Sequence, residues 1–423
     1  MKNKNFACLI AVSALIAAPL KAGDFEDGLR AVQDAAAAAK TSAADQSTTP
    51  SAVPGTRWWS VNFFGSAHRA IGKAALAYVD KNAYSDIGAA KSDLLDGFND
   101  ESGHPDSTMN GGRVEDLWYG LKPETKGGVL RNYRGFDFHK AYERLGTVGH
   151  LTQDQAVPTH AANIKHSFND SFEGFYDNIE KISGLRYDPA LPPYAYYQKV
   201  QDETRSKLAG WKDNGGRQYW VPSADAPRMG EDATFGPRGH YGGDHNRDVF
   251  AVPPQNNNDD SQSNAWTSDH PEIRLQQLAA AGEATVELLQ SASRTLPPLV
   301  DNLTSSSFSV ERGSANKALI RFTAYDNRSD WVTYNIAVYK DGVKVGDGPT
   351  GQVALGARDH ETGIMKTGDG IALWDGTVNG VTLEPGAYTL DVRLTDTDGN
   401  VTPDALDAAP GSRGVTTLAF TLK

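Results

Sequence analysis

Within the stretch GHLTQDQAVPTHAANIKH, Gly149 to His166, three of the chain's ten histidines and an aspartate fall together. His150 and Asp154 are four apart, so on a helix their side chains leave the same face one turn apart and can share one metal ion. Pro158 turns the chain, which lets His160 come back toward the helix end, and His166 follows six residues later. Asp170 and Glu173 add carboxylates in HSFNDSFEGFYD. Neutral imidazole and carboxylate at about 2 Å are what zinc accepts, and so many donors in one short segment suffice for two ions. A single histidine on a helix is ordinarily a hydrogen-bonded surface or core residue. The combination of His, Asp, His, His and an acid, backed by apolar Leu145, Val148 and Leu151, argues for ligation.

Several elements must position these groups. HRAIGKAALAY, His68 to Tyr78, has Ile71, Ala75 and Tyr78 at helical spacing, and SDIGAAKSDLLDGF reads as another short helix. Residues 138–157 carry Ala141, Leu145, Val148, Leu151 and Ala156 on one face, with Pro158 as the stop. Ile273 to Leu296 is the longest such pattern, so 58–300 is expected to be mainly helical. Between 186 and 268 the chain is rich in Tyr, Trp, Gly, Pro and Asn with weak periodicity, which reads as a binding rim or a surface loop. After Pro298 the apolar period becomes two: Tyr388, Leu390, Val392 and Leu394 alternate with Thr389, Asp391 and Arg393, and WVTYNIAVYKDGVKV reads as strand, turn, strand. Six or seven such strands suggest an Ig-like β-sandwich over 304–423. The expected fold is therefore multidomain, a mainly α-helical domain over 58–300 followed by the sandwich. Asp396, Asp398 and Asn400 have calcium-ligand chemistry but read first as turn residues.

The N-terminus, MKNKNFACLIAVSALIAAPLKAG, has the basic, apolar and small-residue order of a secretory signal over 1–22, so the protein is expected to be secreted, either extracellular or periplasmic. Its single cysteine, Cys8, lies inside that signal, leaving the exported form without thiol or disulfide. Residues 23–57, alanine-rich and then Ser/Thr/Pro-rich, cannot bury enough surface to order themselves and read as a flexible pro-segment or linker. No other segment has transmembrane length. A net charge of −12 argues against a general grip on nucleic-acid phosphates, but leaves room for a small anionic group at a metal.

The pattern A-x-x-x-L-G-x-x-x-H-x-x-x-D-x-x-x-P-x-H-A-A-N, Ala141 to Asn163 in this chain, resembles at every fixed position the zinc-dependent phospholipase C family of the Bacillus phosphatidylcholine-hydrolysing and clostridial alpha-toxin type. That resemblance implies a mostly helical domain with up to three zinc ions. It implies that an N-terminal Trp, here Trp58, binds zinc through its amine and carbonyl, with His68 ten residues on; Arg57 offers a trypsin-like cut that would free the amine. It implies that His150 and Asp154 ligate the first zinc, Asp154 bridging to the ion held by Trp58 and His68, and that His160 begins another site with a downstream His and Glu.

The chain departs from the family's pattern in two places. His166 and Glu173 are seven apart rather than four, about 10 Å along a continuous helix. They can share an ion only if His166 precedes the helix start, with Ser167 or Asn169 as cap; otherwise Asp170 is the substitute. Asp100 in DGFNDES resembles the family's Asp, but its companion His is missing, leaving His104 or Asp116 to complete the first site. The resemblance implies a secreted phospholipase C acting on phosphatidylcholine or a related lipid at a membrane surface, with two to three Zn2+ and Asp100 as the general base to test. Trp58, Trp59, Tyr133 and the aromatics of 186–222 are candidates for a rim that holds choline by cation–π contact, or are ordinary packing. Two alternatives stay open: a nuclease or other phosphodiesterase on the same metals, and a surface-binding protein with structural zinc.

Overall fold

The computed structural model describes residues 62–100, 111–120, 127–162, 191–212, 216, 218–222, 240–241, 271–308, 317–403 and 413–422. In chain order the helices are α1 (Asn62–Tyr78), α2 (Ser85–Ala89), α3 (Lys91–Phe98), α4 (Gly111–Tyr119), α5 (Gly128–Arg134), α6 (Phe138–Asp154), α7 (Pro158–Ala161), a 3-10 turn at Pro193–Ala195, α8 (Tyr196–Leu208) and α9 (Pro271–Thr295). The strands are β1 (Trp220–Val221), β2 (His240–Tyr241), β3 (Leu299–Phe308), β4 (Lys317–Asp326), β5 (Trp331–Lys340), β6 (Val343–Ala354), β7 (Ala357–Arg358), β8 (Lys366–Trp374), β9 (Thr377–Val378), β10 (Val381–Thr382), β11 (Gly386–Thr395) and β12 (Thr417–Leu422).

The expectation of a mainly helical fold is overturned. The described residues are 42% helical and 32% strand, with several antiparallel sheets, so the chain is of mixed helix and strand class. The strands after Pro298 outweigh a helical reading because their alternating residues build a complete second core. One sheet has the order β12-β11-β5-β6 and the other β3-β4-β8-β7. Their inward residues, among them Ile320, Phe322, Ile336, Val338, Trp374, Leu390, Val392 and Phe420, form one buried cluster. The turn between β5 and β6 carries positive φ at Asp341 (51°) and Gly342 (80°), the two-residue pattern that matches strand twist.

The helices enclose a separate core around Leu94, Phe98, Leu117, Tyr133, Phe138, Leu145, Val148 and Leu289. Leu299, Tyr325, Ile364 and Met365 join that core from the strand region, within one compact unit spanning Ser60–Lys423. A buried carboxylate ties the same boundary: Asp86 accepts from the Tyr142 hydroxyl (2.7 Å), the Ser293 hydroxyl (2.7 Å) and the Asn327 amide (2.9 Å). Asp396 accepts from the backbone N–H groups of Asp398 (2.9 Å) and Asn400 (2.8 Å) and from the Asn400 amide (2.7 Å), as a turn-closing residue does. Asp398 pairs with Arg328.

Close approach, rather than side-chain bulk, sets the helix packing near the histidines. A Cβ on Gly146 of α6 would lie 2.3 Å from the Leu94 carbonyl, and one on Gly97 would lie 1.9 Å from the Glu143 carbonyl. The Phe98 ring fills a slot whose walls are Gly72 of α1 and Gly149 of α6; a Cβ on either would come within 2.3 Å of the ring. Gly72 is one helical turn from His68, and Gly149 precedes His150. Seating Phe98 thus fixes three helices at the place where the candidate ligands project. Asp137 caps α6, accepting the Lys140 N–H at 3.1 Å. Pro158 takes the first position of α7 after extended Val157, so it restarts a helix as well as ending the previous reading frame of α6.

Candidate metal centre

Among the described residues, His68 of α1 and His150 and Asp154 of α6 bring one ligand atom each within 4.8 Å of one another, a possible metal-binding triad. His68 Nε2 lies 3.2 Å from Asp154 Oδ1, and His150 Nε2 lies 3.7 Å from Asp154 Oδ2. The two imidazole centroids are 4.0 Å apart with the rings tilted by 33°. Donors about 2 Å from a tetrahedral ion stand about 3.3 Å apart; the His68 pair matches such an edge, and the His150 pair, to the other carboxylate oxygen, is longer.

The outer contacts decide which ring nitrogen is available. His150 Nδ1 is 3.0 Å from the Phe98 carbonyl oxygen, and His68 Nδ1 is 2.9 Å from Gln153 Oε1. Both partners are carbonyl oxygens, which only accept, so each Nδ1 carries a proton and each Nε2 faces Asp154, where it donates to the carboxylate when the ring is protonated and can ligate an ion when the ring is neutral. Gln153 is itself held: its amide N–H donates to Thr285 Oγ1 (3.1 Å), whose hydroxyl donates to the Ala281 carbonyl (2.7 Å). That chain joins α1, α6 and α9 and fixes the orientation of the Gln153 amide. An acceptor behind each histidine is the arrangement that metal-bound imidazoles require. The donor set therefore has the chemistry of a possible metal-binding triad.

Burial works against the Asp154 charge, but the imidazoles of His150, His68 and His160 outweigh it and hold the carboxyl below its ordinary range. His160, on α7, is buried and takes part in that field without joining the group of three. Its expected partners His166 and Glu173, with Asp170, lie outside the described residues, as do Trp58, Trp59 and His104. Asp100 follows Phe98 by two residues, and its Oδ2 accepts from Arg144 Nη1 at 3.2 Å, a guanidinium that is itself buried. Neither Asp100 nor Asp116, half-buried on α4, belongs to the triad.

The aromatic candidates within the described residues pack. Tyr133 is completely buried in the helical core, edge-on to Phe138. Trp211, Tyr219 and Trp220 form a small cluster with Leu208 and Ile273. Sequence reasoning did not single out Gln153, the Phe98 carbonyl or Thr285, and it took Tyr197 only as one of the 186–222 aromatics; Tyr197 is a buried residue of α8 in the field of Asp154. Gln153 precedes a candidate ligand on the same helix, which is the only signal that pointed to it. No protein-family model matches the chain, and no curated protein matches it. No helix among the described residues is long and apolar enough to cross a membrane.

Proposed function

We propose that this protein is a zinc-dependent phosphoric diester hydrolase of the phospholipase C type, exported from the cell and acting on phosphatidylcholine or a related phospholipid. The observation that carries the reading is the paired orientation of His68 and His150: each Nδ1 is tied to a carbonyl oxygen, and each Nε2 faces the Asp154 carboxylate. The resemblance over Ala141 to Asn163 supplies the reaction class, and the net charge of −12 favours a small diester over a nucleic acid.

Zinc at such a site supplies an acidified water and a cationic clamp for phosphate oxygens in an in-line displacement. The chain's own groups have distinct parts. His68, His150 and Asp154 would hold the ion, and the Phe98 carbonyl and Gln153 fix the tautomer and orientation of the two imidazoles. Asp100, anchored by Arg144, is the carboxylate that would take a proton from the attacking water. The products are diacylglycerol and a phosphorylated head group.

Release of phosphocholine from phosphatidylcholine vesicles tests this reading. Turnover should disappear with EDTA, return with zinc, and fall at least about a thousandfold in the His150→Ala, Asp154→Ala double variant. Undiminished turnover by that variant would sink the metal mechanism. Cleavage of a nucleic acid in place of the lipid would move the substrate while keeping the diester chemistry, and zinc binding without any hydrolysis would leave a structural role.

A further inference from the structure

The Tyr197 hydroxyl is buried, 1% of the residue being exposed, and has no hydrogen-bond partner among the described residues. Such a group costs about 1–3 kcal/mol unless something in the working protein accepts its proton. Its position is specific. Tyr197 and Gln201 are one turn apart on α8, and Gln201 donates to Gln155 Oε1 at 2.9 Å. Gln155 follows Asp154 directly, so this face of α8 lies against the end of α6 that carries the candidate ligand. The phenol is pushed up in pKa first by burial and then by one named charge, the Asp154 carboxylate.

Gln155 Nε2, next to Asp154 in the chain, shares the condition, as does Thr159 Oγ1 on α7: both are buried without a partner among the described residues. Thr159 stands between Pro158 and His160. The surroundings of Asp154 thus offer amide and hydroxyl donors, which suit an oxygen-rich anion and add no fixed positive charge.

We infer that Tyr197 is a substrate-contacting donor of the metal site, its hydroxyl binding a non-bridging oxygen of a tetrahedral phosphoryl group. The inference rests on the proposed diester hydrolase and names a contact that the metal ligands do not make. A phenol held in a dry site gives up no solvent on binding the oxyanion, so its donation acts at nearly full strength. No covalent step involves it; the proton stays on the tyrosine oxygen.

Inorganic phosphate titrated calorimetrically into the zinc-loaded full chain tests this, with zinc affinity and the melting temperature of the metal-free protein measured alongside. Tyr197→Phe should raise the phosphate Kd roughly five- to tenfold while zinc affinity stays unchanged and the melting temperature of the metal-free protein does not fall. Tyr133→Phe is the control, since it removes an equally buried and unpartnered hydroxyl whose neighbouring charges are Asp326, Asp86 and Asp396. It should leave phosphate binding unaltered. Equal phosphate affinity in Tyr197→Phe and wild type overturns the inference alone, as does an equal loss in both variants. A fall in zinc affinity or melting temperature with Tyr197→Phe also overturns it, because the hydroxyl would then serve Asp154 or the fold. Wild-type protein that binds neither zinc nor phosphate would instead overturn the diester hydrolase reading beneath it.

Discussion

Gln153 has a place that carboxylates often fill behind a metal-bound histidine. Its neutral amide accepts the His68 Nδ1 proton without adding charge, and Thr285 keeps the amide from flipping. Gln153→Leu retains the side chain's volume but leaves His68 free to rotate or change tautomer, so zinc affinity should fall about ten- to a hundredfold. Competition with a chromophoric chelator checks this, and unchanged affinity would remove Gln153 from the site. His150 and Asp154 were legible at this scale, because four-residue spacing on a helix is a local property. His68 was reached through the resemblance, by its ten-residue distance from Trp58 and its place at the start of the first helical pattern. The Phe98 carbonyl and Gln153 were not legible, since each meets its histidine across 52 or 85 residues of chain, and a backbone oxygen leaves no mark in the residue type.

At the scale of elements, the glycines do what larger residues would prevent. Phe98 sits between Gly72 and Gly149, and that seat delivers its carbonyl to His150. Gly149→Ala places a methyl 2.3 Å from a ring atom of Phe98, whose opposite face is closed by α1. The ring must shift, and overpacking of this kind costs about 1–3 kcal/mol. Gly149→Ala should therefore lower thermal stability and weaken zinc binding together, whereas a drop in stability at constant zinc affinity would show that the seat does not govern the site. Helix α8 was read as rim or loop because its sequence, YYQKVQDETRSKL, buries Tyr196, Tyr197, Gln201 and Thr204 along with Val200 and Leu208. A face that is buried through hydroxyls and amides gives hydrophobic periodicity little to register. That same polar face is what brings Tyr197 and Gln201 to the end of α6.

For the molecule as a whole, the expected mainly α-helical domain followed by a β-sandwich gives way to a mixed helix and strand class, because apolar spacing identifies each element but does not show which elements share a core. Period two over 386–395 was legible as strand; that residues such as Leu299 and Tyr325 would enter the helical core was not, because it depends on contacts far apart in sequence. Asp326 belongs to this boundary. Burial pushes its pKa up to about 6, with Asp396 adding to the rise and the backbone N–H groups of Ser329 and Arg328 opposing it. A folded pKa above the unfolded value means that the protonated form is favoured by folding: the contribution is complete below the unfolded value of 3.8 and is lost as pH rises through about 6. Asp326→Asn keeps an acceptor for the two N–H groups without the charge. Its unfolding free energy relative to wild type should improve by about 2 kcal/mol between pH 4 and pH 7, measured by urea denaturation; a pH-independent difference would contradict the burial of that charge. The centre of the account is the ion itself. A crystal of the zinc-loaded protein, with an anomalous difference map collected across the zinc absorption edge, locates it directly. The expected result is a peak about 2 Å from His68 Nε2, His150 Nε2 and an oxygen of Asp154. An ion bound elsewhere, or bound through either Nδ1, would contradict it.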